Sequence, residues 1–183
     1  EKPSIQALSR KTGFVETSDS KVVRGIKSTY KRNGTVNLFA ALDIATGAIK
    51  GKTTKAKRRE DFLSFLDGLI ADNPPAGDEI QEIHVILDNY CTHKRCGEWL
   101  AAHPHVHFHY TPTSASWLNM VEIWFNIMSR RVLNGASFDS TETLSGKIAE
   151  YIKAYDSNPH PFKWRKRIVR GAEIQNSIAN LKN

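Results

Sequence analysis

Hydrophobic positions in the first third of the chain predict β-strands. Residues 5 to 8 and 35 to 43 are rich in apolar side chains, and a turn at residues 45 to 47 leads into a third strand at residues 48 to 54. The second and third strands are expected to pair as an antiparallel hairpin. Residues 11 to 34 are polar and rich in Lys, Arg, Ser and Gly, so we expect a long loop there.

A helix is expected after the hairpin. Glu60 and Asp61 would lie in its first turn, where negative charge is favourable, and Asn73 with the two prolines after it ends the helix. Its apolar face, spaced at the helical period, consists of Phe62, Phe65, Leu66, Leu69 and Ile70. This stripe predicts a helix that packs on one side of a sheet.

Helices and strands alternate in the rest of the chain. Residues 83 to 87 form an apolar run without alternation, which is typical of a strand covered on both faces. The elements expected next are a short helix, a strand and two longer helices, at residues 94 to 102, 105 to 110, 116 to 133 and 139 to 155. Asp139 is expected to cap the last of these helices. A further basic helix is expected from about Pro161.

This order predicts an α/β fold, a mixed sheet with an N-terminal antiparallel hairpin region, flanking helices and extra C-terminal helices. At 183 residues the chain is expected to form a single domain, residues 1 to 183, with residues 139 to 183 as a C-terminal helical extension. In folds of this type, ligand sites gather where central strands end.

The charge of the chain points to a polyanionic partner. It carries 26 Lys and Arg against 19 Asp and Glu, a formal charge of +7, and nucleic acid is the usual partner of such a domain. A basic surface that only keeps the protein soluble is the alternative. One basic cluster is predicted to contact DNA phosphates: Lys50, Lys52, Lys55, Lys57, Arg58 and Arg59. Two further clusters are Arg24, Lys27, Lys31 and Arg32, and Lys163, Arg165, Lys166, Arg167 and Arg170.

Other classes of protein are not supported. Cys91 and Cys96 give neither a disulfide framework nor a zinc ribbon, and they predict a reducing, cytoplasmic compartment. No segment reaches the roughly 18 apolar residues that span a bilayer, so no membrane partner is expected. A strand pattern explains the four alternating histidines better than a zinc site does: His103, His105, His107 and His109.

Asp88, which ends the apolar run, is the first candidate site residue. A carboxylate at the end of a buried strand is costly to desolvate unless it is paired, hydrogen-bonded or bound to a metal. That position would hold a metal ligand rigidly and still leave it accessible. The alternative is a turn residue, because Asp88 and Asn89 together are good turn formers.

Glu122 favours the metal hypothesis. It lies at the border of an apolar helical stripe, between Leu118 and Phe125. The alternative interpretation is a solvated residue at a helix edge. Two carboxylates that meet over a strand end can hold Mg²⁺, which takes few protein oxygens and keeps its other positions for water and substrate phosphates.

Three strings resemble the DDE transposases of bacterial insertion sequences related to mariner: LDNYCTHK, HFHYTPTSASWLNMVEIWF and NLFAALDIATG. The resemblance spans most of the chain. It implies a ribonuclease H-like catalytic core that cleaves DNA strands and transfers them, with Mg²⁺ or Mn²⁺ as cofactor and two ions in the complete site. The implied partners are double-stranded DNA, at transposon ends and at the target, and a second copy of the chain in a homodimer on DNA.

The resemblance also assigns roles to individual residues. Asp88 and Glu122 would be the second and third carboxylates of the catalytic triad, and both would bind the metal. Asn89, His93 and Asn119 match polar positions of the same motifs. They would orient the carboxylates or contact DNA.

The first carboxylate of that family is an Asp immediately before the pair matched by Glu1 and Lys2. Neither Glu1 nor Asp43 is a convincing substitute, since Asp43 precedes a turn and suits a turn residue better. We therefore expect the chain as given to bind metal weakly and to be catalytically crippled. Its DNA-recognition domain is expected upstream.

Two other functions stay open. One is a nuclease on the same scaffold, which cuts DNA or RNA:DNA hybrids without joining them. The other is a domesticated, non-catalytic module that binds DNA or supports an assembly. Joining of a cleaved end to target DNA would separate a transposase from a nuclease.

Overall fold

The computed structural model describes residues 4–74, 81–88, 96–112 and 120–163. The strands are β1 (Ile5–Glu16), β2 (Val22–Leu42), β3 (Ile49–Thr54), β4 (Ile83–Leu87) and β5 (Val106–Tyr110). The helices are α1 (Arg59–Ala71), α2 (Gly97–Ala102), α3 (Val121–Met128) and α4 (Thr141–Asp156), and a π-helical turn, Ser129–Leu133, continues α3. No helix within these ranges is long and apolar enough to cross a membrane.

The pairing of the strands confirms the predicted α/β fold class. β1, β2 and β3 form an antiparallel sheet in that order, and β2 pairs with β3 from Asn37 opposite Thr54 to Leu42 opposite Ile49. β4 and β5 form a parallel pair. Within the described ranges no backbone ladder joins the pair to the three-stranded sheet. The chain therefore combines antiparallel and parallel strands with flanking helices, as the order of elements predicted.

The loop expected at residues 11 to 34 is instead a long hairpin, so that prediction is wrong. β1 continues to Glu16 and β2 begins at Val22, with a tight turn between them. In this turn the Thr17 amide donates to the Lys21 carbonyl and the Ser20 amide to the Thr17 carbonyl, each at 2.9 Å. Backbone hydrogen bonds between the strands hold this ribbon together, and they leave no mark in the order of the side chains.

The larger hydrophobic core lies between the three-stranded sheet and the helices α3 and α4. Its largest fully buried side chains are Ile49 of β3, Trp124 of α3, and Leu144 and Ile148 of α4. The Asp156 carboxylate accepts a hydrogen bond of 2.8 Å from the Ile49 amide, which joins the end of α4 to the start of β3. Helix α4 is thus part of the core.

The cap of α4 differs from the prediction. Ser140, not Asp139, is the N-cap, because the Ser140 backbone is extended and its hydroxyl accepts a hydrogen bond of 3.1 Å from the Thr143 amide. A side-chain oxygen in this position satisfies one of the amides that the first helical turn leaves without a partner. Sequence alone missed the register by one residue.

A smaller core packs α1 against β4. Phe62 and Leu66 of α1 meet Leu87 of β4 and the buried Cys96. Burial raises the pKa of the Cys96 thiol above its ordinary value, because an apolar environment disfavours the thiolate. This core fixes the strand that leads to Asp88.

The expectation that β4 is covered on both faces is wrong. Burial alternates along the strand: His84 and Ile86 are exposed, while Leu87 is buried. The core with α1 covers only one face, and His84 and Ile86 on the other face border an open cavity. The apolar run in the sequence did not distinguish one covered face from two.

Candidate functional site

A cavity of about 1250 Å³ opens between β1, β4, α1 and α3, and we call it the central cavity. Apolar side chains form much of its wall, with Phe39 and Phe62 on one side and Val121 and Phe125 on another. Asp88 and Glu122 both line this cavity. The structure thus brings the two predicted carboxylates to one space from distant parts of the sequence.

Asp88 is placed by the parallel strand pair. It is the residue directly after β4, and it is half-buried. The backbone around it is fixed, because the Ile83 amide donates to the His105 carbonyl and the Thr111 amide to the Leu87 carbonyl, each at 2.8 Å. A carboxylate at this strand end therefore has a defined position.

Glu122 is placed by α3. It lies in the first turn of the helix and is half-buried at the cavity wall. The opposite side of the helix anchors it, because Trp124 and Met128 are buried in the larger core. Asn126 follows Glu122 by one helical turn and lines the same cavity.

Two further carboxylates line the central cavity, and both have partners. Asp43 accepts hydrogen bonds from the Thr46 hydroxyl at 2.7 Å and the Ala45 amide at 2.8 Å. The Thr46 hydrogen bond is the main reason why the pKa of Asp43 is lowered, and these contacts confirm that Asp43 is a turn residue. Glu82 contacts the His107 ring at 2.5 Å.

The metal-ligand chemistry of the cavity rests on Asp88 and Glu122. Over the residues that the structure describes, no group of three or more His, Cys, Asp or Glu is arranged to hold a metal ion. Mg²⁺ commonly takes only one or two protein carboxylates and completes its shell with water and substrate phosphates. The donor set of two carboxylates beside a spacious cavity fits such an ion.

The other predicted site residues, Asn89, His93 and Asn119, lie outside the described residues. Among the histidines of the strand pair, the contacts are mutual. His84 and His109 approach at 2.9 Å through Nδ1 and Nε2, and the His84 ring stacks on His107. The rings lie side by side on the exposed face of the pair.

The predicted DNA-binding cluster divides into three kinds of cation. Lys50 pairs with Asp72, which follows α1, at 3.2 Å, and Lys52 donates to the Ser64 hydroxyl of α1 at 3.0 Å. Lys50 also lines the central cavity. Lys57 is half-buried at the wall of the central cavity. The remaining members are exposed around the start of α1: Lys55, Arg58 and Arg59.

Arg10 is a cavity residue that the sequence did not single out. Its side chain lines the central cavity, and its Nε is buried without a hydrogen-bond partner among the described residues. The predicted strand stopped at residue 8, two positions short of it. A cation two residues after Leu8, in the alternation of Gln6 and Leu8, was the available signal.

The chain matches a family model and is similar to a solved structure. Residues 15–145 match the model of a family described as DDE superfamily endonuclease. No curated protein gives a significant match. Among solved structures, the chain is similar to one in a cryo-EM structure of a simian T-cell lymphotropic virus intasome in complex with PP2A regulatory subunit B56 gamma, at 11% identity and a TM-score of 0.48. The alignment covers 93% of this chain and 62% of that one, so the chain spans less than two thirds of its length.

Proposed function

Because the chain belongs to the DDE superfamily endonuclease family, we propose that it is the catalytic domain of a transposase with a ribonuclease H-like fold. The domain cleaves DNA strands at transposon ends and transfers them to target DNA in a metal-dependent reaction. One observation carries this proposal: Asp88 and Glu122 reach a single cavity, one from a strand end and the other from a helix start.

In this proposal Asp88 and Glu122 supply oxygen ligands for Mg²⁺ or Mn²⁺. A divalent ion held there supplies charge stabilisation at the phosphoryl oxygens during an in-line displacement. The two carboxylates define its position, because the strand pair fixes one and the anchored helix α3 fixes the other. Asn126 lines the same cavity.

Lys57 is the cation of the predicted cluster that serves the reaction most directly in this proposal. It is half-buried at the wall of the cavity that the carboxylates line, and a positive charge there attracts a phosphate that enters the site. The exposed residues Lys55, Arg58 and Arg59 contact phosphates farther along the duplex. Such contacts position DNA without reading its sequence.

The test measures DNA strand cleavage by a variant of the protein that carries Asp immediately before Glu1. The substrate is a DNA duplex that contains one end of the transposon. Asp88→Asn and Glu122→Gln are each expected to lower the rate of Mg²⁺-dependent cleavage at least about 100-fold, since each removes a metal ligand. Glu82→Gln is the matched control, because Glu82 lines the same cavity but pairs with His107.

Three results would count against the proposal. Equal losses in all three variants would show that the position of the carboxylates does not matter. Cleavage without any joining to target DNA would favour a nuclease. DNA binding that needs neither Asp88 nor Glu122, with no cleavage under any metal, would favour the non-catalytic module.

A further inference from the structure

The hairpin of β1 and β2 extends beyond the sheet that it belongs to. β3 pairs only with Asn37 to Leu42 of β2, so the part of the hairpin formed by residues 8 to 16 and 22 to 32 is a two-stranded ribbon. Its base is held by the segment before α4. The Phe138 amide donates to the Leu8 carbonyl at 2.8 Å, and the Arg10 amide donates to the Ser137 hydroxyl at 2.9 Å.

The ribbon concentrates the positive charge of the chain. Residues 10 to 32 contain seven Lys or Arg and two Asp or Glu, which accounts for most of the net charge of +7. The cations whose side chains the structure shows exposed are Lys11, Lys21, Lys31 and Arg32. The Arg32 guanidinium lies 5.9 Å from the centre of the exposed Tyr30 ring. Like charges gathered on one ribbon repel one another, and a polyanion relieves that repulsion.

The shape of the ribbon suits duplex DNA. The B-form major groove admits a two-stranded β-ribbon, and exposed cations on the strands then reach phosphates on both sides. Two register shifts, one between Gln6 and Leu8 and one between Arg10 and Thr12, interrupt the ladder as β-bulges or other irregularities do. Bulges bend a ribbon and increase its twist. Gly13 lies opposite Gly25, so the ribbon carries no side chains at that pair.

Arg10 connects the ribbon to the central cavity. It belongs to β1 at the base of the ribbon, and it lines the cavity that holds Asp88 and Glu122. Its buried Nε lacks a hydrogen-bond acceptor among the described residues, which is an unfavourable state for a charged donor. A phosphate oxygen is the acceptor that a guanidinium group matches best.

We propose that the ribbon is a DNA-binding arm that lies in the major groove, and that Arg10 holds a phosphate where the duplex leaves the arm and enters the central cavity. The identity of the polyanion as DNA rests on the proposed function. The arm acts through phosphate contacts and shape, so it raises affinity for all duplex sequences alike.

The test measures binding of the full-length protein to a fluorescent 30-base-pair duplex in EDTA, where no cleavage occurs. Lys31→Gln/Arg32→Gln is expected to weaken binding about tenfold at 100 mM NaCl. It should lower the slope of log K against log salt by about 1.8, because two phosphate contacts are lost. The matched control is Lys147→Gln/Lys153→Gln on α4, which removes the same charge and is expected to change the slope far less.

Arg10→Gln is expected to weaken binding and to slow cleavage, and Arg10→Lys to restore part of both. The Arg10 backbone contact with Ser137 does not depend on the side chain, so the fold should persist, and thermal unfolding checks this. If Arg10→Gln does unfold the protein, the exposed pair Lys31 and Arg32 still decides the proposal.

Outcomes for the arm and for the proposed function are separable. Normal cleavage with unchanged salt slopes in the ribbon variants would overturn the proposal of a DNA-binding arm. The proposed transposase activity would not be affected. DNA binding that depends on the ribbon, without any cleavage, would overturn the proposed transposase activity and support the DNA-binding arm. Equal losses in the ribbon and α4 variants, tighter binding to single-stranded RNA, or a change only in self-association would each overturn the arm.

Discussion

The two hydrophobic cores of the molecule differ in size and in what they support. The larger core buries Trp124, Ile49, Leu144 and Ile148 completely, and it draws on strands and helices from both ends of the chain. The smaller core joins α1 to a two-stranded parallel pair and leaves the other face of that pair exposed. One predicted metal ligand rests on each core. The site therefore depends on two separately packed units, and damage to either should act on it in a different way.

The larger core should be the more costly one to disrupt. Trp124→Ala is expected to destabilise the fold by about 3–5 kcal/mol, because it removes the largest fully buried side chain beside Glu122. Urea unfolding measures the change. Ile123→Ala, at the exposed neighbouring position, is the control and should cost less than about 1 kcal/mol. Similar losses for both variants would contradict the description of this core.

The smaller core should yield a smaller loss of stability but a larger effect on the site. Leu87→Ala is expected to cost about 2–3 kcal/mol, because Leu87 is buried against Phe62 and Leu66. It directly precedes Asp88, so cleavage measured at a temperature where the variant stays folded should fall further than the folded fraction does. Leu66→Ala in α1 is the matched control, since it opens the same core from the helix side and leaves the sequence of β4 unchanged. Equal activity in the two variants would show that Asp88 does not need a fixed strand end.

Sequence patterns predicted elements well where side chains are buried on one face. The stripe in α1 and the hairpin of β2 and β3 follow from such periodicity. The ribbon was missed because backbone hydrogen bonds form it, and backbone groups leave no trace in the order of side chains. Asp88 was a candidate because it ends an apolar strand, and Glu122 was a candidate because it lies at the border of an apolar helical stripe. Arg10 was missed because its role depends on a cavity between elements far apart in the chain.

The N-cap of α4, the last helix of the larger core, offers a test with a smaller expected effect. Ser140→Ala is expected to cost about 1 kcal/mol, because the Thr143 amide loses its side-chain acceptor. Asp139→Ala is the control and should be close to neutral, since Ser140 and not Asp139 caps the helix. Thermal or urea unfolding distinguishes the two. A larger loss of stability for Asp139→Ala than for Ser140→Ala would show that Asp139 is the cap.

The smallest effect concerns the turn between β2 and β3, where Asp43 borders the central cavity and accepts hydrogen bonds within its own turn. Hydrogen bonding, chiefly from the Thr46 hydroxyl, lowers the pKa of Asp43 below its usual 3.8. A lowered carboxyl pKa contributes stability above the unfolded-state value, and that stability is lost as the pH falls through the folded-state value. Thr46→Val should therefore destabilise the protein by a few tenths of a kcal/mol at pH 7, because the exposed carboxylate is screened by solvent.

The difference between Thr46→Val and the wild type should vanish as the pH is lowered from about 5 to about 2, as urea unfolding at each pH would show. A difference that persists at low pH would mean that Thr46 acts through packing and not through the Asp43 charge. A normal rate of cleavage in this variant would further separate the turn carboxylate from Asp88 and Glu122. The four carboxylates that line the central cavity would then all have been tested. Asp43 and Glu82 serve as the controls, and Asp88 and Glu122 are the proposed metal ligands.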